Sequence, residues 1–197
     1  MSADSRDYKA AKRVILQTAA VYLPSYKKPD DMGNFAAAEK LLDKYNIGLS
    51  LWPAKGGRHS FNSLPLKRYE DPIPDTEEAY KRLRKDVNER IKNKVPRYPF
   101  VVPIIFCEFA ARGAGITPHS TKLGAQAPAC LIAMSNENIK DKMTILHEMG
   151  HSALYPVHHH DNRDEVKGNL MHEADGRHFL LRYQVEAFEH AFFARYA

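Results

Sequence analysis

The sequence predicts an α+β fold in one domain, residues 1–197, with about five strands and a closing C-terminal helix. Three observations carry this. Short apolar runs bounded by Pro or Gly recur along the first two thirds of the chain, as buried strands do. Between and after them, apolar residues recur at helical spacing. Finally, 197 residues with 44% hydrophobic content can fill one core, and that length does not call for two.

Val14–Tyr22 reads as the first strand. Gln17 interrupts its apolar run and no small-residue cleavage site follows, so the segment does not read as a signal peptide. After a loop at 24–33, residues 35–45 read as a helix with Phe35, Ala38, Leu41 and Leu42 on one face. Ile47–Trp52 reads as a strand that Pro53 ends, and residues 54–74, rich in Gly and Pro, read as irregular. Residues 75–94 form a charged helix with Asp75 as cap and Glu78 completing a capping box. Residues 100–109 read as a central strand in which Pro103 suggests a bulge. Short strands are expected within 113–119 and 129–135. Ser135 or Asn136 then caps a helix whose buried stripe is Ile139, Met143 and Leu146, and Pro156 stops it near Leu154 or Tyr155. The closing helix has Leu181, Val185, Phe188 and Phe192 on one face.

The net charge of +5, with a pI near 9.1, gathers largely between Lys67 and Arg97. No aromatic residues interleave there as stacking platforms would require, so nucleic acid is not an expected partner. The helical spacing of Glu77 with Lys81, Glu78 with Arg82 and Asp86 with Arg90 explains the charge as a solvated face. No apolar run is long enough to span a bilayer, so no transmembrane segment is expected. Cys107 and Cys130 fall in predicted strands and read as buried thiols, with a single disulfide open if the strands are neighbours in an oxidising compartment.

His147-Glu148-Met149-Gly150-His151 is the stretch that carries chemistry. Residues four apart on a helix share a face, so two imidazoles at that spacing can bind one metal ion. Glu148 can then take a proton from a water on that metal. Gly150 costs about 1 kcal/mol of helix propensity, which points to a packing or site reason for it. The pattern is that of zinc hydrolases, and it implies one catalytic Zn2+ held by His147 and His151, with Glu148 as general base.

Downstream come Val157-His158-His159-His160-Asp161 and Gly168-Asn169-Leu170-Met171. This run resembles the metzincin clan of zincin peptidases, in which the motif helix is followed by a third His, an Asp three residues later and a Met-turn. The resemblance implies His158 as third ligand, Asp161 as its brace and Met171 beneath the metal. The chain departs from H-E-x-x-H-x-x-G-x-x-H by carrying Leu154 and Val157 where the clan has Gly and His, so the turn holds an extra residue. His158 is favoured for its spacing to Asp161, then His160, with His159 read as a solvated loop residue. A gluzincin-type site with a carboxylate third ligand stays open, from Glu173, Asp175, Glu186 or Glu189; the last two also read as the solvated face of the closing helix. His172 and His178 read as surface residues.

Strand–helix–strand, then strand, edge strand, strand and active-site helix is the order this clan resemblance implies, in a twisted mixed sheet. The implied activity is a zinc-dependent endopeptidase. A protein or peptide substrate would lie along the edge strand within 113–117, at Gly115, Ile116 and Thr117, pairing backbone to backbone. Similar domains occur among secreted bacterial enzymes and among effector toxins of contractile secretion systems. The second grouping fits a chain without a recognisable signal peptide, delivered to a periplasm, and brings an immunity or inhibitor protein as partner; otherwise a cytoplasmic location is expected. Two rival functions stay open: a zinc amidase acting on cell-wall peptides, and a non-catalytic binding module that keeps zinc for structure. Glu148 argues against the module, because a structural site needs no general base.

Overall fold

Alternation along the strands decides how the sheet is buried. A computed structural model describes residues 6–23, 32–52, 72–95, 98–110, 115–117, 132–134, 142–154, 167–172 and 176–197. Strand β1 (Val14–Tyr22) sends Val14, Leu16 and Ala20 to one face and Ala19 and Val21 to the other. Strand β3 (Val102–Phe106) repeats this, with Val102, Ile104 and Phe106 opposed to Ile105. Both faces are therefore apolar, and both are covered, as for parallel strands in a central sheet. Helix α1 (Met32–Asp43), helix α3 (Thr144–Ala153) and helix α4 (Arg182–His190) pack on the first face. Helix α2 (Glu77–Ile91) covers the second through Tyr80, Leu83, Val87 and Ile91.

The result is a mixed α/β architecture. Strand β2 (Ile47–Trp52), β1, β3 and β5 (Ile132–Met134) are mutually parallel neighbours in the order β2-β1-β3-β5. The short strand β4 (Gly115–Ile116) lies antiparallel on β5 and is the last strand on this path among the described residues. Strand β6 (Ala194–Tyr196) runs antiparallel to Val14, Ile15 and Leu16, while β3 pairs with the other half of β1, from Thr18 to Tyr22. Since β2 pairs with both halves, β6 and β3 share the opposite edge of β1. The end of the chain is thus stitched into the middle of the sheet, with the Gln17 N–H donating to the Phe193 carbonyl at 2.8 Å.

Several expectations are corrected. Helix α2 is capped by Thr76, whose side chain accepts from the Ala79 N–H at 3.2 Å, and not by Asp75. Asp75 instead accepts from the Tyr80 hydroxyl at 3.0 Å, which takes its carboxylate away from the helix end. The pair of Glu77 with Lys81 forms, at 2.6 Å. Pro103 makes no bulge: the register of β3 on β1 runs unbroken through it, and pairing to β5 begins one residue later at Ile104. Helix α3 starts at Thr144 with Met143 as its N-cap, later than the apolar stripe suggested. Ser135, Asn136 and Ile139 lie outside the described residues. The helix ends at Ala153 with Leu154 as C-cap, in keeping with Pro156 beyond it. Strand β6 was not foreseen. Cys107 is fully buried, and Cys130 lies outside the described residues. No helix among the described residues is long and apolar enough to cross a membrane.

The cap assignment is open to test. Thr76→Ala should lower stability by about 1 kcal/mol in urea denaturation, because an N-cap acceptor is lost. Glu78→Ala should change it by less than about 0.5 kcal/mol, the usual range for a surface position. The reverse ranking would restore the cap to Asp75 with Glu78.

Candidate metal and catalytic site

Helix α3 is buried along almost its whole length, so even its polar residues face protein. His147, Glu148 and His151 are each at most 6% exposed. The His147 and His151 rings meet edge to face, with their Nε2 atoms 3.2 Å apart. His147 Nδ1 lies 2.8 Å from the Leu170 carbonyl oxygen. A carbonyl can only accept, so Nδ1 carries the proton and Nε2 presents its lone pair. That is the arrangement a metal-binding imidazole requires. Two nitrogens bonded at about 2.05 Å to one tetrahedral zinc stand roughly 3.3 Å apart, so the observed pair fits that ion. Nitrogen donors of this kind also suit zinc chemically.

The turn that carries Leu170 is held from several sides. Gly168 opens it at φ +90°, where a side chain would be strained and a Cβ would strike the His178 ring. The Asn169 side chain, fully buried, accepts from the Met171 N–H at 2.8 Å and thereby closes an Asx turn. Its amide also pairs reciprocally with that of Gln184, at 2.8 and 3.0 Å. Gln184 in turn accepts from the Leu181 N–H at 2.9 Å, the position just before α4. The Leu170 N–H donates to the Phe179 carbonyl, and the Leu180 N–H to the Tyr45 hydroxyl, both within 2.9 Å. So α1, α4 and the turn are locked together beneath α3.

Gly150 explains how the turn comes so close. A Cβ at this position would lie 2.5 Å from Met171 Sδ, well inside contact distance. Met171 is itself buried against the core. The glycine that weakens the helix is therefore the one that admits the Met171 thioether against α3.

Glu148 is enclosed by the edge strand. Thr117 Oγ1 lies 2.6 Å from Glu148 Oε2 and 3.1 Å from the Glu148 carbonyl oxygen. A Cβ on Gly115 would sit 2.8 Å from Glu148 Oε1. Burial pushes the carboxyl up from 4.5 to about 7, against the Thr117 hydrogen bond and the positive charge of Arg177, which both pull it down. Arg177 is half-buried and donates from Nε to the His172 carbonyl at 2.8 Å.

Of the residues singled out in the sequence, the structure sets His147 against His151, Glu148 against Gly115 and Thr117, and Met171 against Gly150 of the same helix. For Ile116 only the backbone, in β4, is described. His158, His159, His160, Asp161, Glu173 and Asp175 lie outside the described residues. Glu186 is paired with Arg182 at 2.7 Å along α4. His178 Nδ1 lies 2.7 Å from the Gly176 carbonyl, and the ring packs on Phe179. Among the described residues no group of three or more His, Cys, Asp or Glu side chains could hold a metal ion, so the described donors number two imidazoles. Sequence reasoning missed the Thr117 contact, the pairing of Asn169 with Gln184, and Arg177. The alternation Gly115-x-Thr117, on one face of a strand, was the signal available for the first.

No protein-family model matches this chain, and no curated protein matches it.

Two outcomes are expected. Gly150→Ala should destabilise the protein by about 1–3 kcal/mol through overpacking, despite the better helix propensity of Ala. Met171→Ala in the same chain should recover part of that loss, and additive costs would mean the two residues do not meet. In the metal-free protein, Glu148 binds a proton more tightly folded than unfolded. Its stabilising contribution is then fully present below about pH 4.5 and is lost as pH rises through about 7. Urea midpoints of wild type and Glu148→Gln at pH 5 and pH 8 read this directly: wild type should lose more stability than the variant. Parallel losses would mean the carboxyl is solvated.

Proposed function

We propose that the chain is a zinc-dependent endopeptidase. The observation that carries the reading is the convergence of the His147 and His151 Nε2 atoms, 3.2 Å apart on a helix whose intervening Glu148 carboxyl is buried against the segment 115–117. His147 and His151 would hold the ion, with His158 as third ligand by the metzincin resemblance. When bound, zinc lowers the pKa of water towards about 7 and polarises a carbonyl. Glu148 accepts the proton of the attacking water and delivers it to the leaving amine, work suited to a carboxyl raised towards neutrality. Among the described residues β4 pairs only with β5, and its other edge would offer backbone groups to an extended peptide beside the segment that holds the same carboxyl.

The clan resemblance gains support from two features. One is the sheet order β2-β1-β3-β5-β4 with only its last member antiparallel on this path, followed by the motif helix. The other is Met171 seated against Gly150 in a turn whose carbonyl orients His147. The presence of Glu148 between the two histidines of the motif favours a hydrolase over a module that keeps zinc for structure.

The test is metal content and turnover of casein and of peptidoglycan fragments, for wild type beside Glu148→Ala. The variant should keep its zinc and lose activity by roughly 10²–10⁴-fold, since a general base is removed and no ligand is. A variant that loses its metal would reverse the role given to Glu148. Turnover of peptidoglycan fragments alone would favour the amidase. Zinc titration of the His158, His159 and His160 to Ala variants should single out His158→Ala. If none of the three loses affinity, a carboxylate such as Glu173 becomes the leading third ligand.

A further inference from the structure

Gly115 in β4 and Thr117 just after it both meet Glu148, and each acts on a different carboxyl oxygen. Residues 115 and 117 alternate on one side of an extended chain. Thr117 is 5% exposed and its hydroxyl has a single hydrogen to give. Of its two neighbours, Glu148 Oε2 at 2.6 Å is closer than the backbone oxygen at 3.1 Å, and the distance is that of a strong hydrogen bond to a carboxyl oxygen. Glu148 Oε1 faces Gly115, where any Cβ would come within 2.8 Å of it. The same Cβ would lie 2.8 Å from Cγ and 3.0 Å from Cδ, so the obstruction covers the whole end of the side chain.

From this we infer that the segment 115–117, β4 and the residue that follows it, is a clamp for the carboxyl group of Glu148. Thr117 is the positioning residue that pins Oε2, and Gly115 is the gap that leaves Oε1 room to receive a proton. The inference rests on the reading of Glu148 as general base. A glutamate on a helix can otherwise rotate about its last two bonds and sweep its oxygens through several positions. Fixing one oxygen to the strand fixes where the other stands relative to the His147 and His151 nitrogens. Thr serves better than Ser here because its branched Cβ restricts χ1. The clamp also joins two sites, because the strand offered to a peptide substrate is the strand that aims the base.

The experiment uses the full chain with Thr117→Val, which removes the hydroxyl at nearly constant shape, and Thr117→Ser, which keeps it. In the zinc-loaded protein, Thr117→Val should lower kcat by about 10- to 100-fold with KM, zinc affinity and melting temperature close to wild type. Thr117→Ser should recover most of kcat. A second readout needs no turnover. In the metal-free protein, the Glu148 carboxyl band, isolated as the infrared difference between each protein and its Glu148→Gln counterpart, should shift in Thr117→Val and stay near wild type in Thr117→Ser. Gly115→Ala should shift it as well. An unshifted band in Thr117→Val would overturn the clamp. A shifted band with unchanged kcat would overturn its role in positioning, and so would equal losses in the Val and Ser variants. Absence of turnover in wild type would instead overturn the peptidase reading and the catalytic consequence with it, while the band still decides whether Thr117 holds Glu148.

Discussion

The hydrogen bond from His147 Nδ1 to the Leu170 carbonyl, 2.8 Å long, is the contact on which the rest of the site depends. It decides which ring nitrogen carries the proton, and so which one is left to bind. It can form only if the 168–171 turn docks directly beneath α3. That docking needs Gly150, because any side chain there would strike Met171. It needs Asn169 to turn the chain, and Gln184 to hold Asn169 by a reciprocal amide pair where both side chains are fully buried. Each buried polar group in this set has its partner, which is the condition for such a network to rigidify a core rather than weaken it.

The fold positions this network by simple means. Parallel strands apolar on both faces require cover on both, and the cover on one face consists of α1, α3 and α4. Tyr45, following α1, bonds to the backbone that leads into α4, while α4 supplies Gln184. β4, the last strand of this path among the described residues, and the residue after it set Gly115 and Thr117 against Glu148 of α3. The acid is thereby shut between helix and strand, and its raised proton affinity follows from the lost water rather than from a neighbouring negative charge.

Much of the fold was legible in the residues. The apolar runs at 14–22 and 47–52 are strands with those bounds, and the face of Phe35, Ala38, Leu41 and Leu42 is buried as its spacing implies. What periodicity could not see was where tertiary contacts overrule it. The stripe of Met143 and Leu146 continues past the start of α3, because packing keeps apolar residues on one side whether or not the backbone is helical there. Strand β6 is too short, at three residues, to show alternation, and only its pairing with β1 makes it a strand. In the site, the His147, Glu148 and His151 constellation was readable from helix geometry alone. The Thr117 and Gln184 contacts were not, because they join residues 31 and 15 positions apart, and no local pattern encodes such a meeting.

The central claim is that the two converging imidazole nitrogens of α3, with His147 oriented by the Leu170 carbonyl, hold a zinc ion. X-ray absorption at the zinc edge, on protein reconstituted with a single zinc ion per chain, measures this most directly. The account predicts a tetrahedral shell of nitrogen and oxygen donors at about 2.0–2.1 Å, with imidazole scattering that falls in His147→Ala and in His151→Ala. Zinc that fails to bind in stoichiometric amount, or a spectrum unchanged by both substitutions, would contradict it.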